Sequence, residues 1–301
     1  VYDGQVTTTA AHALQLRLRA ALPIVFDGGL TSELRRLGYA PPQAIGSAAA
    51  VREVPRLIAD VHRRSVAAGV HVVRANTART TPRVLRAVGY DYRAAAITSQ
   101  ALDLALEAVQ EARSHAAVAG VLYPLEGRES PEATPSDRAL REEHDEHAAR
   151  LAAGGADAIY VESMPTLREA VAATVAGVKT DLPVFTSFAV GPDLRLLSGE
   201  DLATAARAVH AAGASVVLVN GGGSLTEAER AAMVIAQAGL PWGVLPDLPA
   251  RSSADRLVAL CVRAVQRGAA VVGGCCSVAP EELGAVVDAL IPRGRDSVDA
   301  M

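Results

Sequence analysis

"GGADAIYVESMPTLREA", residues 154–170, holds one complete structural repeat. A glycine pair closes a helical segment (137–153), a short apolar run follows (158–162, AIYVE), and a second helical segment begins near 166. Glycine suits a helix end because it adopts a left-handed backbone at least cost. The run after it is continuously apolar rather than alternating, as in a strand covered on both faces. The unit therefore reads as helix, glycine stop, buried strand, polar strand end, helix.

The same unit recurs along the chain. Strands are expected at 23–27, 71–76, 118–123, 158–162, 183–188, 215–220, 242–247 and 270–274. Helical periodicity marks 51–69, 92–114, 137–153, 166–178, 199–212, 224–238, 254–267 and 280–290. Several helices run into "AGV", "GGAD", "AGAS" or "RGAA" just before the next strand. Eight consecutive βα units predict an α/β fold of the (β/α)8 TIM barrel type. The doubly wound open sheet is the alternative, but the first strand ends in "DGGLTSEL", not in a G-x-G-x-x-G turn. No polar linker divides the chain, so 1–301 reads as one domain with a lead-in over 1–20. "PLEGRESPEATP" (124–135) is the one irregular insert and reads as an exposed loop.

Composition narrows the function classes. Half of the 301 residues are apolar but only 3% are aromatic, so the core must be built from Ala, Val and Leu. The formal charge of −4 offers no basic footprint for nucleic acid. No apolar stretch reaches the roughly 18 residues of a membrane span, and the start of the chain lacks the order of a secretory signal. Three cysteines do not make a disulfide framework, and a reducing, cytoplasmic setting is the expectation.

A barrel of this kind builds its site at the C-terminal ends of its strands. Those ends carry Asp27, Asn76, Glu162, Ser187, Asn220, Asp247, Cys275 and Cys276. Adjacent cysteines rarely bridge to each other. As thiolates they are strong zinc ligands, and the glycine pair before them permits a sharp turn; equally, both could be small buried residues. Asp27 and Glu162 could hold a substrate ammonium group, or could cap the following helices. In "HDEHAAR" (144–150), His144 and His147 sit among charged neighbours, and a solvated helix face is the expectation rather than a metal site. Ser224 and Glu227 in "NGGGSLTEAE" fit a capping box.

Five segments, in order, resemble the zinc-dependent homocysteine S-methyltransferases, a TIM-barrel family. They are "DGGLTSELRRLG" (27–38), "RANTART" (74–80), "GGADAIYVESMPTLREA" (154–170), "SFAVGPDLRLLSGE" (187–200) and "GGCCSVAPEEL" (273–283). The resemblance implies methyl transfer from a sulfonium donor, S-adenosylmethionine or S-methylmethionine, to homocysteine or a related thiol or selenol, in methionine biosynthesis. It implies a small amino-acid substrate as partner, held by Asp27, Asn76, Glu162, Ser187 and Asn220. It also implies Zn2+ on three cysteines, of which Cys275 and Cys276 are two. The third, expected after Asn220, is Gly221 here. The resemblance thus implies a zinc site short of one ligand. "LYPLEGRES" and "PDLPA" depart from the family pattern as well. Two other outcomes follow from those departures: a repurposed barrel acting without zinc by acid/base chemistry, or a non-catalytic ligand-binding descendant.

Overall fold

The computed structural model describes residues 10–221, 223–247 and 254–291. The eight strands are β1 (Ile24–Val25), β2 (Val72–Arg74), β3 (Ala117–Leu122), β4 (Ala158–Met164), β5 (Val184–Phe188), β6 (Val216–Asn220), β7 (Trp242–Leu245) and β8 (Val271–Val272). The helices are α1 (Ala10–Arg19), α2 (Leu30–Arg36), α3 (Ala48–Glu53), α4 (Pro55–Ala67), α5 (Pro82–Leu85) and α6 (Ala94–Glu111), then α7 (Asp137–Ala153), α8 (Leu167–Val178), α9 (Leu202–Ala211), α10 (Leu225–Gln237), α11 (Ala254–Gln266) and α12 (Pro280–Leu290). All strand pairs are parallel, in the order β1-β8-β7-β6-β5-β4-β3-β2. A single bridge, Phe26 to Val72, joins the two ends of that series. Backbone bonds from His71 to the Val25 carbonyl (2.8 Å) and from Asp27 to the Val72 carbonyl (3.0 Å) complete the seam. The chain is thus a single (β/α)8 barrel, as the repeat predicts.

Alternation along each strand sorts the apolar residues into two layers. Val25, Val73, Val118, Ile159, Val161, Val217 and Val272 face outward and pack under the helices. Ile24, Phe26, Val72, Ala119, Tyr160, Phe185 and Leu218 fill the barrel interior. Phe26 meets Phe185 and Tyr160 edge-on, with ring centroids 5.1 and 5.7 Å away. Leu14 of α1 joins this interior cluster, so α1 packs across the N-terminal end of the barrel. Of the expected lead-in, residues 1–9 lie outside the described residues and the remainder is α1.

Three expectations are corrected. The segment 51–69 is not one helix: Pro55 has no N–H to continue the ladder, and the chain breaks at Val54 into α3 and α4. The insert 124–135 is not wholly exposed, because Leu125 is buried and its N–H donates to Glu169 at 2.8 Å. His144 and His147 are buried rather than solvated. His144 meets the Glu169 carboxylate at 3.2 Å and His147 the Thr77 carbonyl at 3.1 Å, so they tie α7 to its neighbours. The cap at Ser224 is present, accepting from the Glu227 N–H at 3.2 Å.

Candidate active site

Continuing the inward alternation past the strand ends gives the site its residues. Ala158 and Tyr160 lead to Glu162, Val72 leads to Arg74 and Asn76, and Val216 and Leu218 lead to Asn220. The interior changes from apolar to charged within about two residues per strand. Above it opens a cleft of ≈ 390 Å³, whose walls include Arg74, Asn76, Arg128, Glu162, Cys275 and Cys276.

Arg74 is the first feature that the sequence reading missed. It is only 8% exposed. Its Nε donates to Asp27 Oδ1 at 2.7 Å, and its backbone N–H to Asp27 Oδ2 at 3.0 Å. Its Nη2 reaches the carbonyls of Asp27, Gly28 and Gly274 at 2.6–2.9 Å. Its Nη1 lies 3.5 Å from Glu162 Oε1. Burial opposes the charge on Arg74, but Asp27 and Glu162 more than offset this and raise its pKa. Burial pushes both carboxyls upward, against the pull of Arg74. Both oxygens of Asp27 are therefore engaged within the protein, whereas Glu162, with Glu129, lines the cleft.

Asn76 exchanges two bonds with Ser47, whose Oγ donates to Oδ1 at 2.7 Å and whose carbonyl accepts from Nδ2 at 2.8 Å. Ser187 sits beneath the cleft, bonded to Tyr160 Oη and to the Ser163 N–H at 2.9 Å each. Ser163 has φ +56, in the left-handed region unusual for a side-chain-bearing residue, beside a register shift in β4. Its hydroxyl accepts from Asn220 Nδ2. Ser187 and Ser163 thus fix the turn that presents Glu162.

Cys275 is buried and Cys276 exposed, with their Sγ atoms 3.7 Å apart. That is too long for a disulfide, whose bond is about 2.05 Å. It matches the edge of a tetrahedron whose sulfurs each lie about 2.3 Å from a zinc ion. Their shared hydrogen bond draws the Cys276 thiol below its ordinary value, with Arg128 assisting. The same bond, with burial, raises Cys275. Asn220 Nδ2 lies 3.7 Å from Cys275 Sγ. Gly28 and Gly29 permit this arrangement: a Cβ on Gly29 would stand 2.5 Å from the Cys276 backbone.

Asp247, placed at the rim by the sequence but given no role there, is the second addition to the site. One of its carboxylate oxygens and the two sulfurs all lie within 4.8 Å of one another. The parity of β7 carries the signal, since Gly243 and Leu245 face inward and Asp247 continues their series. Cys261 is buried in α11 and its thiol is raised to about 12 by burial, away from the cleft lining. Of "PDLPA", residues 248–250 lie outside the described residues.

Known proteins share this fold. The E. coli homocysteine methyltransferase MmuM superposes with TM-score 0.77 in its metallated form, at 22% identity over 90% of this chain and 98% of that one. Its oxidized form gives 0.79 at the same identity and coverage. The carboxyl transferase domain of Rhizobium etli pyruvate carboxylase gives 0.58 at 15% identity, covering 96% of this chain and 46% of that one. At these identities the likeness is one of fold. No curated protein matches in sequence. Among the described residues no helix is long and apolar enough to cross a membrane. Residues 24–290 match the family model for homocysteine S-methyltransferase, and the chain therefore belongs to that family of S-methyltransferase enzymes.

Proposed function

We propose that this protein moves a methyl group from a sulfonium donor, S-adenosylmethionine or S-methylmethionine, to homocysteine or a related thiol or selenol, as a step in methionine biosynthesis. The observation that carries the reading is the Cys275–Cys276 pair, set at tetrahedral-edge spacing in the wall of a cleft that Glu162 also lines. The acceptor's sulfur must lose its proton and attack the methyl carbon in line. The carbon–sulfonium bond then breaks, and its electron pair leaves as a neutral thioether.

Cys275 and Cys276 are the residues that would hold zinc, and zinc when bound supplies a site at which a thiol is stabilised as thiolate. The donor set fits such an ion, since sulfur is its preferred ligand and the two sulfurs stand 3.7 Å apart. Glu162 faces the acceptor's ammonium group. Arg79, stacked on Tyr123, and Arg128 offer positive charge for a carboxylate at the mouth. Asn76, Ser187 and Asn220 orient their neighbours rather than present free polar groups, except for the unpartnered Asn220 Oδ1.

Arg74 favours a second reading. It already places a cation between Asp27 and Glu162, so an acceptor without an ammonium group, or acid/base chemistry through the raised carboxyl of Glu162, also suits the site. Reduced protein supplied with zinc, each labelled sulfonium donor and a panel of thiols with and without an amino group tests this. Transfer to homocysteine above the amino-free thiols is the expected result. Transfer to none of them would remove the methyltransferase reading.

A further inference from the structure

We infer that Asp247, from the end of β7, is the third protein ligand of a Cys2Asp metal site; this deepens the proposed function and rests on its metal reading. One general rule and three observations lead here. Two sulfurs alone do not hold a zinc ion in a site that usually has three protein ligands. The carboxylate of Asp247 is the group within 4.8 Å of both sulfurs, among the described residues. Its Oδ1 is buried and has no hydrogen-bond partner, a costly state for a carboxylate oxygen that a cation would relieve. Finally, a Cβ built on Gly221 would lie 3.4 Å from Asp247 Oδ2. A side chain at 221 would thus start in van der Waals contact with the carboxylate of 247, on the same wall of the site.

The backbone explains the placement. The Gly221 N–H donates to the Leu245 carbonyl at 2.9 Å, and the Cys275 N–H to the Pro246 carbonyl at 2.9 Å. The end of β7 therefore lies between the ends of β6 and β8, and Asp247 reaches the sulfurs from the middle. Two thiolates and one carboxylate carry three negative charges, the same as three thiolates. The oxygen ligand is harder and the site should bind zinc less tightly than three sulfurs would. Arg128, 3.6 Å from the same position at Gly221, is the competing source of positive charge.

The test uses the full chain, reduced and stripped with chelator, titrated with Co2+ and with Zn2+ against a coloured chelator. One equivalent of Co2+ is expected, with thiolate-to-cobalt charge transfer and the intense visible bands of a four-coordinate ion. Asp247→Ala should weaken zinc by more than the roughly 100-fold that loss of an outer-shell partner costs. Asp247→Asn, of unchanged shape, should weaken it too. Adding Gly221→Cys to Asp247→Ala should restore affinity and strengthen the charge-transfer band, because the third ligand returns as sulfur. Unchanged affinity in Asp247→Ala overturns the inference. So does reduced wild-type protein that binds neither metal, which would assign charge balance to Arg128. Methyl transfer measured in parallel separates the two readings. Turnover with Asp247 indifferent to metal leaves the function and removes the ligand, and Asp247-dependent metal without turnover does the reverse.

Discussion

Arg74 carries a full charge into a barrel interior lined by Phe26, Tyr160 and Phe185, and a buried guanidinium is stable only when its donors are matched. Here they meet one carboxylate twice, three carbonyls and the edge of Glu162. Arg74→Ala would strand the Asp27 carboxylate in that setting. It should cost about 3–5 kcal/mol in urea unfolding, the usual result of breaking a buried pair. Removing both charges with Asp27→Asn and Arg74→Met should cost less than the sum of the single changes, and additive costs would show the pair to be uncoupled. At the same scale, His62 of α4 is buried with neither ring nitrogen partnered. His62→Leu should leave stability at neutral pH within about 1 kcal/mol, because no hydrogen bond is lost.

At the level of elements, strand positions were legible because each apolar run follows a glycine stop; the insert and the site were less so. The charged neighbours of His144 and His147 suggest a solvated face, but Leu140, His144, His147 and Leu151 recur at helical spacing on one buried face of α7. Asp247 is legible as a rim residue, but its segment departs from the family pattern and so assigns it no role; inward parity along β7 is what aims it at the cysteines. Arg74 is inward by the same rule. No local pattern marks the close approach of the β1–α2 turn to the cysteine turn, which joins residues some 250 positions apart. Gly29→Ala tests that approach. Its Cβ would stand 2.5 Å from Cys276, so the cysteine turn must move. A loss of about 1–3 kcal/mol is expected in thermal unfolding, together with weaker zinc binding in the chelator titration. Asp201, which caps α9 by accepting from the Thr204 N–H at 2.8 Å, is remote from the cleft. Asp201→Ala should cost about 1 kcal/mol and leave metal affinity unchanged.

For the whole molecule, three histidines whose imidazoles are desolvated, His62, His71 and His147, set the acid limit. Burial lowers His62 to about 4, His71 to about 3 and His147 to about 4, from an ordinary 6.5. Below pH 6.5 the unfolded chain takes up protons that the native chain refuses, so stability is full above that value and falls as the pH drops toward 4. Each histidine contributes about 1–3 kcal/mol to the loss. Urea midpoints measured from pH 7 to 4.5 should show it, and His62→Leu should flatten the curve. The barrel also has an uneven circumference. β4 and β5 share a ladder of several residues, whereas β1 and β2 meet at one bridge, with the Asp27–Arg74 pair laid across the join. A ring opens where it is least stitched, and local opening there needs far less than global unfolding. The amides of His71 and Asp27 should therefore exchange with deuterium before those of Tyr160 and Thr186. Asp27, expected from the resemblance to hold substrate, would then serve as the clasp of the barrel.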